Sequence, residues 1–297
     1  MTSTITGSAD HHAHRRAVLI MLGVTFLWSI AGVFTRHLEA AKSFEVTFWR
    51  SFFTIVFMLG ALAWQRKNPL KAVIAMGRHG FICGAMWAVM FTCFMLALTM
   101  TTTANTLIVN SLYPLFAALL AWTVLKEPIA LRTWLAILAA LGGMAWMFKS
   151  GLGSGLSGTL IAFGIPVAAS INIVTLKKAH VAIDLAPAVL LGGLFSAALM
   201  LPFAVPFHAT AQDILILAIL GFFQLGLPCM LMIKASRHLA PPEMALLSLL
   251  EVLMGPLWSW LGAGEVPAGS TLTGGAVVMA ALVLNEIAAM RERQRVI

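Results

Sequence analysis

The sequence predicts an all-α integral membrane protein: ten transmembrane helices, arranged as two inverted five-helix repeats around a central cavity. Three observations predict this fold: the composition, the number of long apolar stretches and an internal repeat. The 297 residues are 60% apolar and 10% charged, with a mean hydropathy of +0.94, whereas a soluble domain averages about 25% charged residues. Such a surface is stable only in lipid, which excludes soluble enzymes, secreted disulfide scaffolds and disordered proteins.

The polar composition gives no sign of catalysis or of a bound cofactor. The three cysteines form neither a disulfide framework nor a metal pattern, since each lies inside an apolar stretch (Cys83, Cys93 and Cys229). No P-loop, nucleophile elbow or zinc-protease motif occurs. We therefore expect no enzyme activity, no cofactor and no metal, and the net charge of +8 concerns membrane orientation rather than a nucleic-acid partner.

Ten apolar stretches are long enough for a helix to cross roughly 30 Å of hydrocarbon. Backbone polar groups find no water in lipid, so each stretch should be helical, and nothing alternates with the period of two that a barrel strand needs. We expect tails at 1–16 and 290–297, repeats at 17–148 and 158–289, and an outer linker at 149–157. The predicted spans are 17–35, 44–64, 79–99, 103–124, 131–148, 158–176, 185–206, 212–234, 242–262 and 271–289.

The distribution of lysine and arginine predicts the orientation of these spans. If the N-terminus is inside, 15 of the 19 basic residues lie on the cytoplasmic side and three on the outer side, with Arg50 inside a span. Cytoplasmic connections carry such an excess of basic residues. The sequence therefore predicts a multi-pass protein of the inner (cytoplasmic) membrane with both termini in the cytoplasm.

An internal repeat relates the two halves of the chain. The segment 110–128 aligns with 248–266, and the most specific shared feature is a tryptophan followed five residues later by a glutamate, Trp122–Glu127 and Trp260–Glu265. Ten spans in two copies give five per copy, and an odd number turns the second copy upside down in the membrane. Inverted repeats are typical of secondary transporters, whose substrate site lies near the midplane between the halves.

These features resemble the drug/metabolite transporter superfamily, in its ten-helix EamA branch. The resemblance covers the whole chain and includes Leu250–Glu251 in the ninth span, which is similar to a Leu-Glu-Pro step of that branch, although Val252 stands in the third place. The matching step of the first half is Leu112–Tyr113–Pro114. The chain most resembles the YddG-type bacterial exporters of aromatic amino acids, and this resemblance implies export of amino acids.

Several polar residues inside the predicted spans are candidates for substrate binding. Glu251 lies near the membrane centre, where a charge costs at least about 2.5–3.5 kcal/mol, and its carboxyl group suits a substrate ammonium or an exchanged proton. A helix–helix contact is the structural alternative for each candidate. Arg50 is a weaker candidate, because it lies about 9 Å from the end of its span by helical rise and its side chain can reach the interface. The amide and hydroxyl candidates are Asn105, Asn110, Tyr113 and Asn172.

Aromatic and proline residues complete the predicted site. Trp28, Trp87 and Trp258 lie deep enough to stack on a flat solute or to cover a cation, with core packing as the alternative for each. Proline removes an N–H and frees a carbonyl group, which shapes a cavity if the helix kinks there. The predicted kink positions are Pro114, Pro166, Pro228 and Pro256.

The sequence as a whole favours a secondary transporter that exports small metabolites, above all amino acids including aromatic ones, by alternating access. The alternatives are a transporter of another solute class (a sugar, a nucleotide precursor or a drug-like cation) and, less favoured, an intramembrane lipid-handling protein. The expected partners are a small-molecule substrate and membrane lipid. Ten helices can enclose a cavity without a partner chain, so we expect a monomer and leave a dimer open.

Overall fold

The chain folds into long helices joined by short connections. A computed structural model describes residues 3–149, 155–179, 185–239 and 241–296, and within these ranges it contains no strand. A short helix, Pro69–Ala75, lies between the long helices Ser43–Trp64 and Gly77–Met100. The long helices are α1 (Ser3–Ser29 and Ala31–Thr35), α2 (Ser43–Trp64), α3 (Gly77–Met100), α4 (Thr103–Asn110 and Tyr113–Leu125), α5 (Leu131–Lys149), α6 (Leu156–Ala162 and Gly164–Ala179), α7 (Leu185–Ala204), α8 (Ala211–Ile219, the π-helical turn Leu220–Gly226 and Leu227–Ala235), α9 (Pro241–Ser248 and Leu250–Ala263) and α10 (Gly269–Val296).

Nine of the described helices are long and apolar enough to cross a membrane. The exception is α5, whose apolar stretch Leu131–Met147 has 17 residues and so extends about 26 Å at 1.5 Å per residue, short of the roughly 30 Å of hydrocarbon. The predicted count of ten spans is therefore confirmed for nine. Large apolar side chains such as Leu131, Leu261 and Leu284 are exposed on the outside of the bundle, as the lipid surroundings expected from the composition require.

Three pairs of helices that hold the same place in the two halves of the chain pack against each other in opposite directions. In α5 and α10, the hydroxyl of Thr133 donates to Asn285 Oδ1 at 2.9 Å, whereas Trp146 Nε1 donates to the hydroxyl of Thr273 at 2.9 Å. The residue number of the contact on α10 falls as the residue number on α5 rises, so the two helices are antiparallel. The same holds for α2 with α7, where Ser51 contacts Ser196 and Ile55 contacts Gly193, and for α4 with α9, where Thr103 contacts Ser259 and Leu107 contacts Gly255.

Helix interruptions follow the same division into halves. The first and fourth helices of each half, α1, α4, α6 and α9, are broken, whereas α2, α3, α5, α7 and α10 are continuous over their described residues. In addition, α1 packs on α8 and α9, and α6 packs on α3 and α4. The broken helices of each half therefore lie against helices of the other half. The breaks are at Ile30, Ser111–Leu112, Phe163 and Leu249.

Three of the four predicted kink prolines follow a departure from regular α-helix. Pro114 is the second residue of the second segment of α4, Pro166 follows the break in α6, and Pro228 follows the π-helical turn of α8. Pro256 instead lies within the continuous segment Leu250–Ala263, and α9 is broken seven residues earlier. A missing proline N–H leaves the carbonyl group four residues earlier without its helical donor. The break at Ile30 has no proline beside it, so the sequence pattern did not predict it.

The chain ends are more helical than the sequence suggested. Residues of the predicted tail 1–16 belong to α1 from Ser3 onward, and α10 continues through the predicted tail 290–297 as far as Val296. Apolar content predicts where a helix enters lipid but not where its hydrogen bonding begins. Of the predicted linker 149–157, residues 150–154 lie outside the described part of the chain.

Candidate functional site

A buried arginine occupies the interior of the bundle. Arg50 is the eighth residue of the 22-residue span Ser43–Trp64 and is 2% exposed. Its Nε and Nη2 atoms donate to Oε1 of Gln224 at 3.1 and 2.7 Å, and its guanidinium carbon lies 5.6 Å from the centre of the Phe94 ring. The expectation that this side chain reaches the membrane interface is wrong, because Gln224, 174 positions later in the sequence, and Phe94 hold it inside.

Gln224 reaches Arg50 from the π-helical turn of α8. A π-helical turn redirects the side chains of one helical turn and often marks a functional site. Besides accepting from Arg50, Gln224 donates from Nε2 to the main-chain carbonyl of Trp28 at 3.2 Å. This one amide therefore joins α1, α2 and α8, so that both halves of the chain contribute to the surroundings of Arg50.

A buried acid from the second half faces the same interior. Glu251 of α9 is 6% exposed and interacts electrostatically with Arg50, although no Arg50 nitrogen lies within 4.0 Å of its carboxylate. Nη1 of Arg50 is buried and has no hydrogen-bond partner in the described chain, and no described residue donates a hydrogen bond to Glu251. Buried charges with unfilled hydrogen-bonding capacity are costly. This separated pair of ionisable groups, one basic and one acidic, is the strongest candidate for a functional site.

Tyr113 and Glu251 occupy matching positions in the two halves. They align with each other when 110–128 is placed over 248–266, and each lies just after the break in its helix. Their depth is similar, since Tyr113 is eleventh in the 23-residue span Thr103–Leu125 and Glu251 ninth in the 21-residue span Glu243–Ala263. Tyr113 also interacts electrostatically with Glu251 and with Glu286 of α10. Polar groups of both halves therefore come together where α4 and α9 are interrupted.

The other polar candidates on α4 differ in their surroundings. Asn110 ends the first segment of α4, is partly exposed and makes no side-chain hydrogen bond with a described residue. Asn105 is bonded at both ends of its amide: Nδ2 donates to Thr101 Oγ1, and Oδ1 accepts from the hydroxyl of Thr271, both at 3.2 Å. Asn110 therefore has capacity left for a solute in this conformation, whereas Asn105 joins α4 to α10.

The tryptophan candidates and Asn172 lie in three places. Trp28 is half-buried on α1 beside Gln224, and Trp258 donates from Nε1 to the hydroxyl of Ser29 at 3.0 Å. Trp87 of α3 and Asn172 of α6 are 8% and 7% exposed. Nε1 of Trp87 and Oδ1 of Asn172 are buried without a hydrogen-bond partner among the described residues. The structure thus links Glu251 electrostatically to both Arg50 and Tyr113 and brings the main chain of Trp28 to Gln224. Trp87 instead packs against α7 at Gly192, and Asn172 lies on α6.

A second ionic contact closes one end of the bundle, and we call it the Arg36–Glu265 joint. Arg36 Nε lies 2.7 Å from Glu265 Oε2, and its Nη1 and Nη2 donate to the carbonyl groups of Leu98 and Thr101 at 2.9 and 2.7 Å. Glu265 also accepts from the main-chain N–H and the hydroxyl of Thr103 at 2.6 and 2.9 Å. The joint connects α1, α3 and α4 of the first half to the end of α9 in the second.

The other buried acids near this end have structural contacts. Glu45 accepts hydrogen bonds from the main-chain N–H groups of His208 and Ala209, and Asp213 accepts from four such groups. Both acids therefore fasten connecting segments to helix ends. No group of three histidine, cysteine or acidic side chains within the described residues is placed to hold a metal ion.

Sequence reasoning missed the importance of Arg50 and did not single out Gln224 at all. A signal existed for each, because both are polar residues inside apolar spans, where such residues are functional hypotheses by default. Depth along the helix was the wrong guide for Arg50, since depth gives the distance to water but not the direction in which a side chain points.

Comparison with known proteins agrees with the division into halves. The model of the EamA-like transporter family matches the chain twice, over residues 15–149 and 156–286; the first match covers α1 to α5 and the second covers α6 and most of the region through α10. No curated protein matches the chain. A solved structure titled only "Crystal structure of protein" has a TM-score of 0.63 at 17% identity, covering 93% of this chain and 98% of its own. At this identity the likeness shows the fold alone.

Proposed function

Because the chain belongs to the EamA-like transporter family, whose members are membrane transporters of small solutes, we propose that it is a secondary transporter. In this proposal it exports amino acids, aromatic ones included, across the cytoplasmic membrane. The observation that carries the proposal is the pair Arg50 and Glu251, buried in the interior and contributed by different halves. A stable membrane anchor does not need costly charges in its interior, whereas a solute pathway uses them.

The proposal includes ten spans in two inverted repeats. Antiparallel packing of α2 with α7, α4 with α9 and α5 with α10 supports the inverted arrangement. The short helix α5 completes the tenth span by packing along α10, and a span shorter than the hydrocarbon is accommodated by local thinning of the bilayer.

Transport proceeds in this proposal by alternating access, through rocking of one half against the other. The proposal includes cytoplasmic termini, which the distribution of basic residues favours, and in that orientation the Arg36–Glu265 joint lies on the outer side. In this conformation the joint holds the outer side shut, and opening to that side requires its contacts to separate. The proposed solute-binding residues remain those of the sequence interpretation, namely Trp28, Trp87, Asn105, Asn110, Tyr113, Asn172, Glu251 and Trp258.

The substrate class rests on the resemblance to YddG-type exporters and on the opposite charges of the interior pair. A transporter of a sugar, a nucleotide precursor or a drug-like cation is the alternative, and an intramembrane lipid-handling protein is the less favoured one. A single acid near the midplane is a poor match for a cation of several charges.

Solute flux in proteoliposomes tests the proposal. The purified protein is reconstituted, and uptake of each amino acid is measured with and without an imposed pH gradient. We expect flux above that of empty liposomes, and a dependence on the gradient would indicate proton exchange. Glu251→Gln and Asn110→Ala should reduce the rate without reducing the amount of folded protein.

Variants at exposed positions serve as controls. Glu39 and Gln65 lie in exposed connections, so Glu39→Gln and Gln65→Ala should transport at the wild-type rate. Wild-type flux in both Glu251→Gln and Asn110→Ala would remove these residues from the site. Flux of no solute by the wild-type protein, with release of products from liposomes containing candidate lipids, would favour the lipid-handling alternative.

A further inference from the structure

We propose that Arg50 and Glu251 bind the two charged ends of one zwitterionic solute, an α-amino acid, with its carboxylate on Nη1 of Arg50 and its ammonium group on the carboxylate of Glu251. This inference rests on the proposed function. It assigns to Arg50 a carboxylate-binding role that the sequence interpretation did not give it. It also favours amino acids over sugars and drug-like cations as the solute.

The bonding of Arg50 leaves one face of its guanidinium group for an anion. Two of its three nitrogen atoms donate to Gln224 Oε1, which is a neutral acceptor and does not compensate the charge. Nη1 carries two N–H groups, yet it is buried and has no partner in the described chain. A guanidinium group presents its donors in a planar fork that matches a carboxylate, so a solute carboxylate fills the missing contact and supplies the missing charge.

Glu251 offers the complementary half of the site. Its carboxylate is buried, and no described residue donates a hydrogen bond to it, although it lies within the electrostatic reach of Arg50. The two groups do not form a direct ion pair, since no nitrogen of one lies within 4.0 Å of an oxygen of the other. An ammonium group carries a positive charge and three hydrogen-bond donors, so it supplies both the charge and the donors that this carboxylate lacks.

The two charges together discriminate between solutes. A sugar would leave both charges without a counter-charge, and a simple cation would pair with Glu251 but would be repelled by Arg50. A zwitterion neutralises both. Because α2 belongs to the first half and α9 to the second, such a solute also bridges the two halves that move in alternating access.

Equilibrium binding to the detergent-purified protein tests this inference independently of flux. A panel of amino acids is screened by isothermal titration calorimetry, and the best ligand is compared with its amide, which lacks the carboxylate, and its N-acetyl derivative, which lacks the ammonium group. We expect each derivative to bind at least about tenfold more weakly, because a site built to bind a polar group rejects an analogue that lacks it. Equal affinity for the amide would overturn the proposal, as would binding of none of the amino acids.

Variants then assign each end of the solute to its residue. Arg50→Gln should reduce the preference for the free amino acid over its amide at least about tenfold, and Arg50→Lys, which keeps the charge, should retain part of that preference. Glu251→Gln should reduce the preference over the N-acetyl derivative instead. Arg66→Gln, at an exposed position after α2, should change neither preference.

The outcomes separate this inference from the proposed function. Flux of amino acids together with unchanged preferences in Arg50→Gln or Arg50→Lys would refute the role of Arg50 and leave the transporter standing. Selective binding without flux in proteoliposomes would support the site and refute transport. If Arg50→Gln does not fold, the comparison of the three ligands on the wild-type protein still shows whether the site recognises both charged ends of the solute, because that comparison needs no variant.

Discussion

Replacing Glu265 by glutamine tests whether the Arg36–Glu265 joint stabilises the fold. Oε1 of Glu265 accepts from the main-chain N–H of Thr103 at 2.6 Å, and Oε2 accepts from Arg36 Nε at 2.7 Å and from the Thr103 hydroxyl at 2.9 Å. Glutamine has the same shape but one oxygen fewer. In either orientation its NH₂ group faces an N–H donor, of Thr103 or of Arg36, so at least one of the bonds is lost.

The size of the effect follows from these contacts. Side-chain exposure is 26% for Arg36 and 14% for Glu265, so solvent screens the pair only in part. A hydrogen bond to a charged group contributes about 1.5–3 kcal/mol, and the bonds that remain lose roughly half their strength when the charge is removed. We therefore expect Glu265→Gln to lower the free energy of unfolding by about 2–4 kcal/mol, which corresponds to a fall in Tm of at least about 3 °C for a chain of this size.

The assay is thermal unfolding of the purified protein in detergent, followed by intrinsic tryptophan fluorescence. The matched control is Glu39→Gln, since Glu39 is exposed and the hydrogen bond that its carboxylate accepts, from the Thr210 hydroxyl, is 3.4 Å long. An exposed substitution of this kind changes stability by less than about 0.5 kcal/mol. If Glu265→Gln and its Glu39→Gln control melted at the same temperature, the joint would contribute no net stability and the reasoning would be refuted.

Two further substitutions test packing and capping by the same thermal assay. Gly143→Ala should lower stability by about 1–3 kcal/mol, because its Cβ would lie 2.7 Å from the carbonyl oxygen of Gly274 and α5 would have to move away from α10. Its neighbour Gly142 has nothing within 4 Å of that position, so Gly142→Ala should be neutral or slightly stabilising; an equal loss in both would refute the close approach. Asp213→Ala should cost at least about 3 kcal/mol, since four main-chain N–H groups lose a buried acceptor. Asp213 also completes the helix cap formed by Thr210 at the start of α8, and a loss no larger than the roughly 1 kcal/mol typical of one cap would contradict this.

The repeated tryptophan–glutamate pattern shows how far a sequence motif reaches. Trp122–Glu127 and Trp260–Glu265 revealed the repeat, and the family match over both halves agrees with it. The two glutamates nevertheless have different surroundings: Glu265 is bonded within the joint, whereas Glu127 is exposed. A repeat predicts equivalent backbone positions, but the contacts of an equivalent side chain depend on the helices around it.

The candidate site was predicted in part. Glu251 and Tyr113 were identified because an acid and an amphipathic aromatic residue inside an apolar span are unusual, and the structure places them close enough to interact electrostatically. Arg50 was interpreted wrongly and Gln224 was missed, because their contact joins two helices far apart in the sequence. The break at Ile30 was missed because no proline lies near it.

The sequence by itself determined that the chain lies in lipid, where its apolar helices run and that it consists of two related halves. These properties depend on the transfer free energy of consecutive residues and on the order of the spans, both of which can be calculated along a chain. Only the tertiary structure decided which polar side chains meet inside the bundle and which of their hydrogen-bonding groups are left unfilled. That outcome depends on the rotation and crossing of packed helices, and a single helix carries no information about the residues that will face it.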